Sequence, residues 1–322
     1  MRYISINNPG PDSRLFIAET ETPICGKEQL LVRVKATAVN RADLMQRQGK
    51  YPSPPGESTI LGLEVAGDVV AIGEKVKDFK VGDRVYGLVA GGGYADYCSV
   101  HPRLAAKIPD NWDYSYAAAI PEALMTAQAT VFSLGQLKMN ERFLIHAAGS
   151  GISSFAIQMA RIKGAEVFTT TSTQEKIAKA KQLGATLVIN YKTQDFEALI
   201  GDLSLDLIVD FIGGSYFPKH LKLLKQKGRL VQIASQQGHL VEFSLATLMR
   251  KRLAILGFVL RPQSLAEKAA LWKTSQQEWS NLLINKELVP IIDSEFQLAD
   301  IELAHSHMLS SAHFGKIIVR LD

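Results

Sequence analysis

Residues 143–154 read FLIHAAGSGISS: an apolar strand, a turn built from small residues, then an apolar helix. That order constrains the fold more than anything else in the chain. Only small residues let a backbone turn this tightly while leaving its N–H groups and the helix N-terminus open to a pyrophosphate. The plainer reading is a tight strand-to-helix turn with no ligand. The turn also opens a series. Apolar strands are expected at 143–147, 166–172, 186–190, 205–211, 228–234 and 252–259, with helices near 152–163, 173–183, 196–200, 216–224 and 245–249. Such alternation predicts an α/β fold with a parallel, doubly wound sheet covered on both faces.

Before residue 117 the texture differs. Short β-branched runs at 30–34, 61–72, 83–89 and 94–100 are broken by Gly and Pro, as in a mostly-β module, with one short helix near 41–48. The run ending at Gly73 and the one starting at Gly82 read as two strands joined by a charged turn. Gly91, Gly92 and Gly93 precede a strand, so they are expected to form a hairpin connection and not a phosphate loop. The last stretch holds a long helix from 266, a helix near 299–310 and a strand at 316–321 that by length is able to return to the first module.

The end of the second strand of the series narrows the ligand. Sites that prefer NAD usually place Asp or Glu about twenty residues beyond the glycines, to bind both ribose hydroxyls. This chain has Thr169, Thr170, Thr171 and Ser172 there, with Lys176 one helical turn on. No carboxylate repels a 2′-phosphate, and a hydroxyl with an ammonium receives it; Tyr191 closes the same pocket from the next strand. This favours NADPH. The alternative for Lys176 is one more solvated helix lysine beside Lys179 and Lys181.

Other classes are harder to support. With 36 Lys plus Arg against 32 Asp plus Glu, the net charge of +4 is far from the basic stripe of a nucleic-acid binder. Two cysteines, Cys25 and Cys98, make neither a disulfide scaffold nor a cysteine zinc site, and they suit a reducing compartment. No apolar run is long enough for a membrane span, and residues 1–10 do not read as a secretion signal, so a cytoplasmic protein is expected. His305 and His307 lie two apart on a predicted helix and point to different faces, which argues against a shared metal.

Several segments together resemble the medium-chain dehydrogenase/reductase superfamily, in its zinc-free quinone oxidoreductase branch that includes zeta-crystallin. The likeness is carried by AVNRADLMQRQGKY at 38–51, LGLEVAG at 61–67, residues 73–87, AAAIP at 117–121 with Thr126, the glycine loop, Gly184 with Ala185, residues 210–215, His305, and Gly315 with Lys316. It spans nearly the whole chain; the stretches at 45–51 and 212–216 are most similar to the tumour-suppressor-inducible subgroup. The resemblance implies a GroES-like catalytic domain from 1–120 and 262–322, a Rossmann NADPH-binding domain at 121–261, a cleft for the cofactor, and a homodimer formed through Rossmann edge strands.

By the same resemblance Asn40, Tyr51 and Thr126 lie near the nicotinamide. Gly149, Ser150, Gly151 and Ile152 line the pyrophosphate, and Ser172, Lys176 and Tyr191 the 2′-phosphate. Phe258, Leu260, Gly315 and Lys316 approach the nicotinamide end. The loop departs from the family pattern by carrying serine at Ser150 and Ser153. The metal-dependent branch has a cysteine where this chain has Asn40 and a histidine where it has Leu63, and an alkyl side chain ligates no metal. Asp43 and Glu64 beside that position read as an internal polar pair. Tyr51 is expected to orient or protonate the acceptor, with Asn40 as a hydrogen-bond donor; the plainer role for Tyr51 is an aromatic lid on a proline-stiffened loop. The implied activity is hydride transfer from NADPH to quinones. Alternatives are reduction of an activated C=C bond in an enone or enoyl thioester, or a non-catalytic NADPH- or RNA-binding role.

Overall fold

The computed structural model describes residues 1–202 and 204–321; Asp322, at the end of the expected catalytic domain, lies outside the described residues. The chain falls into two compact units. Unit 1 comprises Met1–Ala123, Arg261–Asn285 and Pro290–Asp322; unit 2 comprises Leu124–Leu260 and Lys286–Val289. The 286–289 segment stays with unit 2 because Gln158 makes a two-way hydrogen-bond pair with the Val289 backbone, at 2.9 and 3.2 Å.

Unit 2 is built on a six-stranded sheet in the order Leu187–Asn190, Glu166–Thr171, Arg142–Ile145, Leu205–Asp210, Leu224–Gln232 and Ala254–Gly257, with every pairing parallel. Phe143, Leu144, Ile145, Leu207, Ile208 and Val209 have no exposed surface, as central strands covered on both faces require. Parallel strands place all their C-terminal ends on one edge. The loops that follow residues 145, 171, 190, 210, 232 and 257 therefore share that edge, where α/β sheets bind ligands. The strand expected at 228–234 begins earlier, at Leu224, and the helix expected to end at 249 runs to Lys251. The helix Pro121–Ala127 passes into a π-helical stretch, Gln128–Leu134, a widened geometry that is rare and frequently accompanies functional sites.

Unit 1 holds a seven-stranded sheet ordered Ile292–Gln297, Lys316–Arg320, Leu30–Val39, Glu64–Ile72, Arg84–Leu88 and Ala105–Lys107, with Tyr97–Val100 paired to Leu30–Val39, and a two-stranded sheet Arg2–Asn7 with Arg14–Glu19. The C-terminal strand Lys316–Arg320 lies antiparallel to Leu30–Val39. Glu64–Ile72 and Arg84–Leu88 pair antiparallel, as their shared charged turn predicts. The glycines at 91–93 do not form a hairpin. The strands on either side of them pair elsewhere, and Gly92 and Gly93 bond instead to Ile60 and Gly62. The long helix Leu265–Ile284 starts on a capping box formed by Ser264 and Glu267. Among the described residues no helix is long and apolar enough to cross a membrane.

Candidate cofactor and active site

The glycine loop of unit 2 follows the strand Arg142–Ile145 and leads into the helix Gly151–Ile162. Ala147 sits at φ 53°, a left-handed conformation that costs a residue with a Cβ and marks a backbone held by its surroundings. Two serines do the holding. Ser150 caps the helix by accepting from the Ser153 backbone N–H. Its hydroxyl donates to Ser153 Oγ at 2.9 Å, and the Ser153 hydroxyl donates to the His146 carbonyl at 2.8 Å. Ser153 is fully buried, so a residue at a family glycine position ties the loop across instead of crowding it. Gly149, Ser150, Gly151 and Ile152 remain half-buried at the surface of this turn.

Ser172 follows the neighbouring strand Glu166–Thr171, half-buried, and Thr173 caps the helix Gln174–Gln182 that carries Lys176 in its first turn. Asn190 is in register with Thr171, and the Tyr191 N–H donates to the Thr171 carbonyl at 3.0 Å. Ser172, Lys176 and Tyr191 thus gather at the strand ends next to the glycine loop. Lys176 is 8% exposed, so it is not a solvated helix lysine, while Tyr191 is 45% exposed. Phe258 and Leu260 follow the last strand at the same edge, both buried. Thr126 Oγ1 is buried with no hydrogen-bond partner, an orphan that a ligand hydrogen bond would satisfy.

Beneath the loop runs a feature that spacing does not reveal. His146, Asp210 and His220 are fully buried side by side. His146 Nδ1 lies 3.0 Å from the Thr170 hydroxyl, its Nε2 2.8 Å from His220 Nε2, and His220 Nδ1 faces Asp210 Oδ2 at 3.5 Å. Asp210 also accepts from the Ile212 and Gly213 N–H groups. His146 Nε2 and His220 Nε2 share one hydrogen bond, one ring donating and the other accepting. Burial pushes both imidazoles down to about 3, so both are neutral. Two imidazole nitrogens sharing a zinc ion would stand about 3.3 Å apart; the 2.8 Å contact is a hydrogen bond.

In unit 1, Asn40 caps the helix Arg41–Arg47 at the end of Leu30–Val39. Its Oδ1 accepts from Lys316 Nζ at 2.7 Å, and its Nδ2 donates to Glu64 Oε1 at 2.8 Å and to the Ala38 carbonyl at 3.3 Å. Lys316 Nζ also donates to Glu64 Oε1 at 2.7 Å, and Glu64 Oε2 accepts from the Glu122 N–H. Both amide hydrogens of Asn40 are directed inward, which corrects its expected role as a donor to a substrate. Lys316 is 3% exposed and its ammonium holds a carboxylate and an amide, while Gly315 keeps φ 118° with the Ile291 carbonyl where a Cβ would sit. Asp43 accepts from the Asn40 and Gly62 N–H groups and from the Tyr94 hydroxyl. Tyr94 in turn meets His305 Nε2 at 3.2 Å. Asp43 and Glu64 do not touch each other directly but are joined through Asn40, whose N–H goes to the first and whose amide goes to the second. Burial raises the Asp43 carboxyl to about 6 and drives His305 down to about 3. Position for position, an amide tied to a lysine and the buried alkyl group of Leu63 do not fit a zinc ion.

Tyr51 is half-buried, at the head of a loop with Pro52, Pro54 and Pro55. Burial, with Glu122 adding to it, raises its phenol to about 12, so it stays protonated.

The family comparisons match this construction. The alcohol dehydrogenase GroES-like domain model matches residues 26–110, and the zinc-binding dehydrogenase model matches residues 151–274. The quinone oxidoreductase of Lama guanicoe is 30% identical over 100% of this chain and 98% of its own length. Among solved structures, Escherichia coli quinone oxidoreductase complexed with NADPH superposes with a TM-score of 0.89 at 26% identity over 99% of both chains. CurK enoyl reductase gives 0.85 at 25% identity over 100% of this chain and 99% of that one. The chain belongs to the quinone oxidoreductase branch of the medium-chain dehydrogenase/reductase superfamily, with a GroES-like domain and a Rossmann-type parallel sheet.

Proposed function

We propose that this protein is an NADPH-dependent, zinc-independent reductase of quinones. Among its relatives, quinone oxidoreductases match over nearly their full length, and one solved structure of that name is complexed with NADPH. The observation that carries the cofactor choice is the gathering of Ser172, Lys176 and Tyr191 at adjacent strand ends, with hydroxyls and an ammonium where an NAD site carries a carboxylate. Gly149, Ser150, Gly151 and Ile152 present the turn and helix N-terminus to the pyrophosphate. Thr126 offers its unpartnered hydroxyl, and Phe258 and Leu260 supply walls at the nicotinamide end.

Bound NADPH supplies a hydride, and with one proton a quinone becomes a hydroquinone. A quinone leaves as a stabilised phenolate, so a strong acid is not required of the chain. Tyr51, protonated throughout the physiological range, orients the acceptor oxygen or gives it a proton. Asn40 and Lys316 act from behind, as a braced wall. The immobilised ammonium of Lys316 and the absence of thiolate or imidazole at positions 40 and 63 support zinc independence. Reduction of an enone or enoyl thioester is the competing reading, favoured by the enoyl reductase likeness and by Tyr51 as a proton source.

A binding role for RNA finds less support. Lys219, Lys222 and Lys225 pair with Asp195, Glu197 and Asp206, and Lys251 caps the carbonyls of Leu221, Lys222 and Leu224. A cytoplasmic location agrees with the free thiols of Cys25 and Cys98. A homodimer through the edge strand Ala254–Gly257 agrees with the exposure of Leu240, Leu245, Met249 and Val259 around it.

The test is loss of NADPH absorbance, with NADH in parallel, on mixing the protein with benzoquinone, phenanthrenequinone or an enone. Quinone turnover with NADPH preferred supports the reading. Turnover of the enone alone moves the assignment to C=C reduction, and tight NADPH binding without turnover moves it to a binding role. The mass in solution by light scattering tests the dimer.

A further inference from the structure

Arg261 is nearly buried, at 5% exposure, and no sequence motif singles it out. Its Nε donates to the Ala90 carbonyl at 2.7 Å, its Nη2 to Ser53 Oγ at 3.0 Å, and its Nη1 reaches the Tyr51 carbonyl at 3.5 Å. Its guanidinium carbon lies 5.4 Å from the centroid of the Tyr51 ring, within the range of a cation–π contact. These hydrogen bonds run to neutral acceptors, an expensive use of a buried cation unless the charge itself acts on a neighbour. The loop it grips is already stiff. Pro52, Pro54 and Pro55 fix three of its torsions, and Gln46 Nε2 bonds both Ser53 Oγ, at 3.2 Å, and the Thr59 carbonyl, at 2.9 Å. Ser53 is thus held from two sides, one of them charged.

We propose that Arg261 is the positioning residue for Tyr51: its fork fixes the loop through Ser53 and the Tyr51 carbonyl, and its charge lies against the Tyr51 ring, so that the hydroxyl meets the acceptor in one orientation. The proposal rests on the reading of Tyr51 as the group that orients or protonates the acceptor. The charge of Arg261 also opposes the rise that burial imposes on the Tyr51 phenol. Lysine cannot replace it fully, because an ammonium lacks the planar fork that engages Ser53 and Ala90 together.

The experiment compares the wild type with Tyr51→Phe, Arg261→Gln, Arg261→Lys and the double variant Tyr51→Phe/Arg261→Gln. NADPH affinity is read by fluorescence titration, and kcat and KM are measured with a quinone and with an enone. Arg261→Gln is expected to lower kcat/KM for the acceptor roughly tenfold, the scale of a small misplacement near the reacting atoms, with NADPH affinity unchanged. Arg261→Lys should recover part of the loss. On the Tyr51→Phe background, Arg261→Gln should cost little more. A full additional loss on that background, or a loss that follows NADPH affinity, overturns the proposal. If Tyr51→Phe alone leaves both acceptors untouched, the Tyr51 reading fails on its own terms. The positioning claim is then decided by labelling with 3-fluorotyrosine: the resonance that disappears in Tyr51→Phe must shift or broaden in Arg261→Gln, and an unmoved resonance overturns it. That spectrum also shows whether each variant is folded.

Discussion

Lys316 Nζ and Asn40 Oδ1 meet at 2.7 Å, and the same ammonium holds Glu64 Oε1 at 2.7 Å, so a fixed organic cation braces the place where metal-dependent relatives differ in residue type. Glu64 has no exposed surface. Removing its partner strands a buried carboxylate, and such truncations cost about 3–5 kcal/mol. Lys316→Met is therefore expected to lower unfolding stability by about that much, and the double variant Lys316→Met/Glu64→Gln to recover most of it. Urea unfolding of Lys316→Met, Glu64→Gln and the double variant checks the pair; equal losses in Lys316→Met and the double variant would mean that Lys316 acts through other neighbours.

Ser153 closes the glycine loop through its hydroxyl to the His146 carbonyl at 2.8 Å. Ser153→Ala leaves that buried carbonyl short of a donor and is expected to cost about 1–2 kcal/mol, with weaker NADPH binding because the turn loses its cross-tie. Ser153→Gly should behave like the alanine variant. A glycine variant as stable and as tight-binding as the wild type would show that the serine is merely tolerated.

Much of this arrangement was open to reading in advance. The parallel, doubly wound sheet of unit 2 follows from alternating apolar runs, and the expected neighbourhood of Ser172, Lys176 and Tyr191 follows from parallel strands sharing an edge. What spacing could not reveal depends on side chains that meet only after folding. His146 precedes the loop and His220 lies on a helix seventy-odd residues on, so their 2.8 Å contact exists only once two strands are in register. Arg261 and Tyr51 are likewise distant in the chain. Asn40 looked like a donor because its residue type allows it; the structure turns both amide hydrogens inward because the Glu64 carboxylate and the Ala38 carbonyl accept them, while Lys316 holds the amide oxygen. The glycines at 91–93 misled because a strand follows them, yet that strand pairs with Leu30–Val39 and not with its predecessor.

The cofactor choice is testable at Ser172. Ser172→Asp places a carboxylate at the strand end, where it repels a 2′-phosphate and binds two free ribose hydroxyls. KM for NADPH should rise more than about tenfold while KM for NADH falls. Lys176→Ala should weaken NADPH by about tenfold and leave NADH nearly unchanged, the value of one charge-assisted contact. Equal effects on both cofactors would place the phosphate elsewhere.

Acid stability follows from four buried groups. His146, His220 and His305 are held near 3 in the folded chain, so each is neutral there and charged in the unfolded chain below its ordinary value of about 6.5. A depressed histidine loses the folded state stability as pH falls from about 6.5 toward 3, because the unfolded state binds the proton. Asp43 acts in the opposite sense: its carboxyl, raised to about 6, is mostly protonated at pH 5 when folded and mostly ionised when unfolded. From these four groups, unfolding at pH 5 should take up about two protons net. The slope of unfolding free energy against pH measures that number. His220→Leu should reduce the uptake by about one proton, its own, because burial still holds His146 neutral, and should also destabilise the protein at neutral pH by leaving the buried His146 Nε2 without its hydrogen-bond partner. A slope unchanged by this substitution would mean that the histidine pair does not govern acid unfolding.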